Sequence, residues 1–193
     1  MSEPQPRLSD RASAPGPGAR LGGRQLRRVL FREEEIQARV AALGHEISAA
    51  YGPDDALLVL SLLKGSFIFV ADLVRRIECP LQVDFLVASS YGDGTQSSGH
   101  VKLVYDPEAT LKDRAVIVVE DIIDSGTTLA RILPMLEARG PRSLEICALL
   151  HKRIVVMERE ARWVGFDAPP EFLVGYGLDY SESFRHLPYI GSL

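Results

Sequence analysis

Apolar residues recur with a helical period over residues 33–50, then give way to short unbroken runs. Ile36, Val40, Leu43 and Ile47 fall on one stripe of a helix, and Glu33, Glu34 and Glu35 put negative charge in its first turn. Residues 56–63 (ALLVLSLL) are apolar almost throughout, yet the run is short and bounded by Gly52-Pro53 and Gly65, which predicts a buried strand. A helix over 67–77 and a strand over 83–88 follow. Residues 89–99 (SSYGDGTQSSG) are polar, glycine-rich and long for a connection, the character of a mobile lid, with a short strand expected at 101–105. Residues 115–119 (AVIVV) form the strongest strand of the chain. The helix expected over 127–138 contains Pro134, which should bend or shorten it, and Gly140-Pro141 closes it. Further strands are expected at 144–150 and 172–176. Strands apolar on both faces and separated by helices predict an α/β domain, a central parallel sheet flanked by helices. Ligands on such sheets bind beyond the carboxyl ends of the strands. That rule gathers residues 63–66, Glu120, Asp121 and residues 125–128 on one rim.

Composition adds little except at the amino end. The chain has 193 residues, 46% hydrophobic and 25% charged, enough for one domain with a substantial core. The net charge of −4 gives no basic surface that would suggest nucleic acid. No apolar run is long enough to span a bilayer, so no membrane partner is expected. Cys79 and Cys147 have apolar neighbours and read as free thiols in a reducing compartment, which points to the cytoplasm. Residues 1–25 are rich in small residues, Pro, Gly and charge. They cannot bury enough apolar surface to offset the entropy of ordering, and are expected to be a disordered extension to a domain over 26–193. Glu3, Asp10 and the density of breakers argue against a transit peptide.

The chemistry concentrates in residues 118–129, VVEDIIDSGTTL. Ser125, Gly126, Thr127 and Thr128 can offer backbone N–H groups and three hydroxyls to one anion, and the helix that follows adds its positive end. A plain turn and helix cap would use the same residues. No GxxxxGK[ST] and no GxGxxG pattern occurs. The acids beside this loop narrow the choice. Glu120 and Asp121 would repel a phosphate unless the ligand also brings hydroxyls or a cation. A ribose supplies hydroxyls for a carboxylate to accept, and Mg²⁺ takes oxygen ligands. A phosphorylated ribose with a metal explains both halves.

These residues resemble the signature of the type I phosphoribosyltransferases, which bind phosphoribosyl pyrophosphate (PRPP). An aspartate at 124 is similar to the 6-oxopurine members. So are L62-L-K-G-S66, S89-S-Y-G92, L149-L-H-K-R153 and F172-L-V-G-Y-G-L-D-Y180 with F184-R185. The likeness runs in order from about residue 29 to 190 and leaves out the amino-terminal extension. It implies the type I phosphoribosyltransferase fold with a small hood made from the chain ends. It also implies phosphoribosyl transfer from PRPP to hypoxanthine or guanine, with IMP or GMP and pyrophosphate as products and Mg²⁺ as cofactor. A homodimer or homotetramer is implied by the same likeness.

The resemblance assigns roles by position. Asp124 would be the general base beside purine N7, its structural alternative being a cap on the following helix. Glu120 and Asp121 would hold ribose hydroxyls and, with Asp179, Mg²⁺. Ser125, Gly126, Thr127 and Thr128 would hold the 5′-phosphate. Lys64, Gly65 and Arg185 would bind pyrophosphate, with an unusual cis peptide between Leu63 and Lys64. Lys152 would meet the 6-oxo group, Phe172 would stack on the base, and backbone groups at Leu173 would contact it. Ser90 and Tyr91 would open the lid. Two positions depart from the pattern: Ser125 replaces a common Thr but keeps the hydroxyl, and His151 is not the usual residue before Lys152. An RNA-binding regulator of the same fold would need an aromatic at 124 and a basic surface. A simple structural module leaves five agreeing motifs without a reason. His45, His100, His151 and His186 are too scattered for a metal hydrolase.

Overall fold

A computed structural model describes residue 21 and residues 24–90, 101–154 and 157–193. The expected disorder of residues 1–25 falls outside the described residues except at 21, 24 and 25, where Leu21 packs against the core of Val174, Phe184 and Leu187; most of the expected lid, including Tyr91, also lies outside them.

A six-stranded sheet forms the body. Its strands are β2 (Leu57–Leu63), β3 (Leu81–Ser90), β4 (Val101–Tyr105), β5 (Ala115–Ile123), β6 (Ser143–His151) and β7 (Trp163–Asp167), in the order β4-β3-β2-β5-β6-β7. Every neighbouring pair is parallel except β3 with β4 at one edge. Helices α1 (Glu33–Ala50) and α2 (Phe67–Val74) supply one layer and α3 (Thr127–Glu137) the other. Two cores follow from strand alternation. Ile117 and Val119 pack with Ile36, Val40, Phe69 and Leu73, whereas Val116 and Val118 pack with Leu129, Ile132 and Leu136. Strands buried on both faces are apolar at nearly every position, which is why 57–63 and 115–119 read as near-continuous runs, with buried Ser61 the polar exception.

A second, three-stranded antiparallel sheet, β1 (Arg28–Phe31), β9 (Ile190–Ser192) and β8 (Leu173–Val174), makes the expected hood from the chain ends. Here the expectation for 172–176 needs correction. Only Leu173 and Val174 are strand, and they belong to the hood, not to the parallel sheet. The fifth parallel strand is β7, whose partly exposed edge residues give no strong periodic signal.

Other differences are local. α2 stops at Val74, three residues short of the expected end, because the chain turns at Arg75 and Arg76. β3 runs through Ser89 and Ser90, expected as lid, which pair with Lys102 and Val101. α3 carries Pro134 inside it and still ends at Glu137, since Leu133 and Leu136 hold its last turn in the core. β5 is four residues longer than AVIVV and takes both acids into the strand.

Candidate active site

Glu120 and Asp121 sit where β5 changes its packing. Up to Val119 the odd residues face one core and the even residues the other. Beyond the acids Ile122 packs on the core of Ile117 and Val119, and Ile123 on the core of Val118. The two carboxylates occupy this irregularity at the carboxyl end of the sheet. Burial, reinforced by the neighbouring Asp121, holds the Glu120 carboxyl well above the usual carboxylate range. Glu120 Oε2 is sealed from solvent and has no hydrogen-bond partner in the protein. Burial pushes Asp121 up to about 6, against the pull of backbone N–H groups and Arg185. Two acids kept close together and short of partners are costly unless a ligand supplies hydroxyl donors or positive charge.

Asp121 lies against the loop after β2. A Cβ built on Gly65 would stand 1.8 Å from Asp121 Oδ2, so only glycine fits between the carboxylate and the loop backbone. The far side of the loop is equally tight. A Cβ on Gly177, whose φ is +103°, would stand 2.0 Å from the Gly65 carbonyl oxygen. The hood therefore closes directly over this loop. The peptide between Leu63 and Lys64 is cis, as the resemblance implied. Ser66 Oγ, fully buried, bonds Ser61 Oγ at 2.7 Å and anchors the loop to β2.

The hood carries Arg185 and Asp179 to the same place. Arg185 Nη2 lies 2.7 Å from Asp179 Oδ1, and Arg185 Nη1 donates to the Gly177 carbonyl at 2.8 Å. Lys64 Nζ pairs with Glu182 at 3.0 Å, and Glu182 also pairs with Arg185. Glu182 was not among the residues picked from the sequence; in a loop it reads as one more solvated acid. Tyr176, which is buried, was not picked either. Its hydroxyl donates to Asp72 Oδ2 at 2.6 Å and ties the hood to α2.

The loop before α3 forms no side-chain cap. Gly126 is the N-cap residue with φ +68°, and no side chain bonds the first-turn N–H groups from that position. Ser125 Oγ and Thr127 Oγ1 lie 2.8 Å apart. Ser125 Oγ also accepts from the Thr127 N–H at 3.4 Å, so the hydroxyls and first-turn N–H groups of this loop, the groups an anion site draws on, lie close together. A groove of about 520 Å³ starts at Ser125, Gly126 and Thr127 and runs along α3 to Arg131, Met157 and Arg159. Neither Glu120 nor Asp121 lines it.

Asp124 and Lys152 meet. Lys152 Nζ donates to Asp124 Oδ2 at 2.9 Å, with the lysine side chain 11% exposed and the aspartate 55%. Asp124 does not cap α3. Two residues chosen from motifs 28 positions apart thus share one point at the ends of β5 and β6. His151, the unusual neighbour, is fully buried with both ring nitrogens unpartnered, and burial and Arg153 lower its pKa. It presents no surface to a ligand at the rim. Phe172 stands on the hood, 54% exposed, in edge contact with Tyr180 at 5.6 Å. Leu173 is buried in the hood sheet, paired with Ser192.

Oxygen donors suit Mg²⁺, and the unpartnered Glu120 oxygen is of the right kind. Among the described residues no three or more acids, histidines or cysteines are arranged to hold a metal alone. The ion would need oxygens from the substrate as well, which is how Mg²⁺ is commonly bound.

A fold with a rim of buried acids, an uncapped helix loop and a hood bearing a cation defines a class, and the comparisons agree on it. Residues 30–181 match the family model described as phosphoribosyl transferase domain. The chain belongs to the type I phosphoribosyltransferase family. Among its relatives, the hypoxanthine-guanine phosphoribosyltransferase of Mycobacterium bovis is 45% identical, over 96% of this chain and 95% of its own. The hypoxanthine phosphoribosyltransferase of Salmonella typhimurium is 46% identical, over 86% and 94%. A crystal structure of a hypoxanthine phosphoribosyltransferase from Staphylococcus aureus matches with a TM-score of 0.83 and 43% identity, over 87% of this chain and 91% of that one.

Proposed function

We propose that this chain transfers the phosphoribosyl group of PRPP to N9 of hypoxanthine or guanine, yielding IMP or GMP and pyrophosphate in purine salvage, in the cytoplasm and as a homodimer or homotetramer. The observation that carries the reading is the contact between Lys152 and Asp124 at 2.9 Å. An ammonium has only donors, so it can meet a 6-oxo group and has nothing to accept from the 6-amino group of adenine. A carboxylate one contact away can accept a proton at N7. A 6-oxopurine carries acceptor and proton on the same edge, so one base separates the pair by bonding both members.

Asp124 then acts as general base while N9 attacks C1′ and the C1′–pyrophosphate bond breaks. The electron pair of that bond leaves with pyrophosphate. Glu120 and Asp121 accept hydrogen bonds from the ribose hydroxyls, which relieves the strain of two close acids. The N–H groups and hydroxyls of residues 125–128 hold the 5′-phosphate. Lys64, the Gly65 backbone and Arg185 hold the pyrophosphate. Phe172 offers its exposed face to the base, and the Leu173 backbone contacts its edge. Ser90 and Tyr91 begin the segment that would exclude water from the reacting sugar. Mg²⁺, held by Glu120, Asp121 or Asp179 together with substrate oxygens, would neutralise charge on the departing pyrophosphate.

The test is pyrophosphate release from PRPP and Mg²⁺ with hypoxanthine, guanine, xanthine, adenine and uracil in parallel. Turnover is expected with 6-oxopurines and not with adenine or uracil. Asp124→Asn should lower kcat by about 10²- to 10⁴-fold, the range for loss of a general base. PRPP binding without turnover on any base would refute the reading and favour a regulatory role.

A further inference from the structure

The two cations assigned to pyrophosphate already hold an anion. Lys64 Nζ lies 3.0 Å from Glu182 Oε1, and Arg185 Nη2 lies 3.2 Å from Glu182 Oε2. One carboxylate, using both oxygens, bridges the loop after β2 and the hood, across 118 residues of sequence. The backbone is shaped for it. Ser181 and Glu182 have φ of +50° and +61°, a region that side-chain-bearing residues seldom enter. The Glu182 N–H donates to Asp179 Oδ2 at 2.8 Å, which fixes the turn. A phosphate group bound between Lys64 and Arg185 would have to take both from Glu182.

We propose that Glu182 is an internal stand-in for pyrophosphate. It pairs with Lys64 and Arg185 while the subsite is empty and swings into solvent when the pyrophosphate end of PRPP arrives. Returning, it competes with the product and eases its release. The proposal rests on the assignment of Lys64 and Arg185 to pyrophosphate given above. The exchange is cheap, because the Lys64 and Glu182 side chains are each 65% exposed, and Arg185, 19% exposed, keeps Asp179 as its nearer partner at 2.7 Å. A self-paired state lowers apparent affinity by the share of molecules it occupies. Exposed ion pairs are weak enough to set that factor at roughly two to five.

The test uses the full chain, with inorganic pyrophosphate and Mg²⁺ as the probe in titration calorimetry. Glu182→Gln should tighten pyrophosphate by about two- to fivefold and lower KM for PRPP by a similar factor. The gain should shrink in a Lys64→Met background, where one contested cation is gone; a structural role for Glu182 would not produce that dependence. Unchanged or weaker binding in Glu182→Gln, with Lys64→Met weakening binding, would overturn the proposal and make Glu182 a support for the cations. If Lys64→Met and Arg185→Met both leave pyrophosphate affinity unaltered, the subsite assignment itself fails. Thermal midpoints identify any variant that is not folded, and Glu182→Ala repeats the test with a second side chain.

Discussion

Asp121 should make the protein less stable at neutral pH than it would be without its charge. Its carboxyl titrates at about 6 in the fold because burial disfavours the ion, against an ordinary value of 3.8. The sign follows from linkage. The unfolded chain releases this proton near 4 and the folded chain near 6, so the stability this group allows is whole below pH 3.8 and is lost as pH rises through about 6. The gap between the two values is worth about 3 kcal/mol above that window. Asp121→Asn keeps an acceptor for the backbone N–H groups and removes the charge, together with its push on Glu120. The loss of attraction to Arg185 offsets part of the gain. The variant should be more stable than the parent by about 2 kcal/mol at about pH 7.5, which for a chain of this size raises Tm by about 4–8 °C. The gain should fade toward about pH 4.5. Urea and thermal melts in EDTA across that range provide the assay, and pyrophosphate release from PRPP should fall in the same variant. A variant no more stable than the parent at neutral pH, or one whose gain does not change with pH, would refute the reasoning.

Two further outcomes test the packing around the site. Gly65→Ala drives a methyl into the Asp121 carboxylate, 1.8 Å from Oδ2, and should cost about 1–3 kcal/mol by overpacking and raise KM for PRPP, read from melts and steady-state kinetics. Tyr176→Phe removes a buried hydroxyl that donates to Asp72 and should cost about 1–3 kcal/mol in urea melts; unchanged stability would mean that this bond does not hold the hood to α2.

Much of the site was legible because its signals are local. The loop at 125–128 and the turn at 63–66 each announce themselves within a few residues, by hydroxyls and glycines at a strand end. Lys152 and Asp124 were assigned to one base from separate motifs, and they meet at 2.9 Å. The edge strand β7 and the three-residue strand β9 were not legible, and two-residue β8 was read as a longer strand of the wrong sheet. They are too short or too exposed for a period to show, and their pairing depends on partners far along the chain. Glu182 could not be distinguished from a loop acid, since what marks it is a lysine 118 residues away.

The sequence by itself determined the order of the main helices and strands, the parallel sheet and the chemical kind of ligand. Period, breakers and residue type act over a few positions, and those are written in the chain directly. Only the tertiary structure decided how the charges at the rim are shared. Gly65 against Asp121, Gly177 against Gly65, and Glu182 between Lys64 and Arg185 arise because two cores and a hood fix distances between segments remote in sequence. Such distances set which acid is buried and which cation is engaged, and no local pattern carries them.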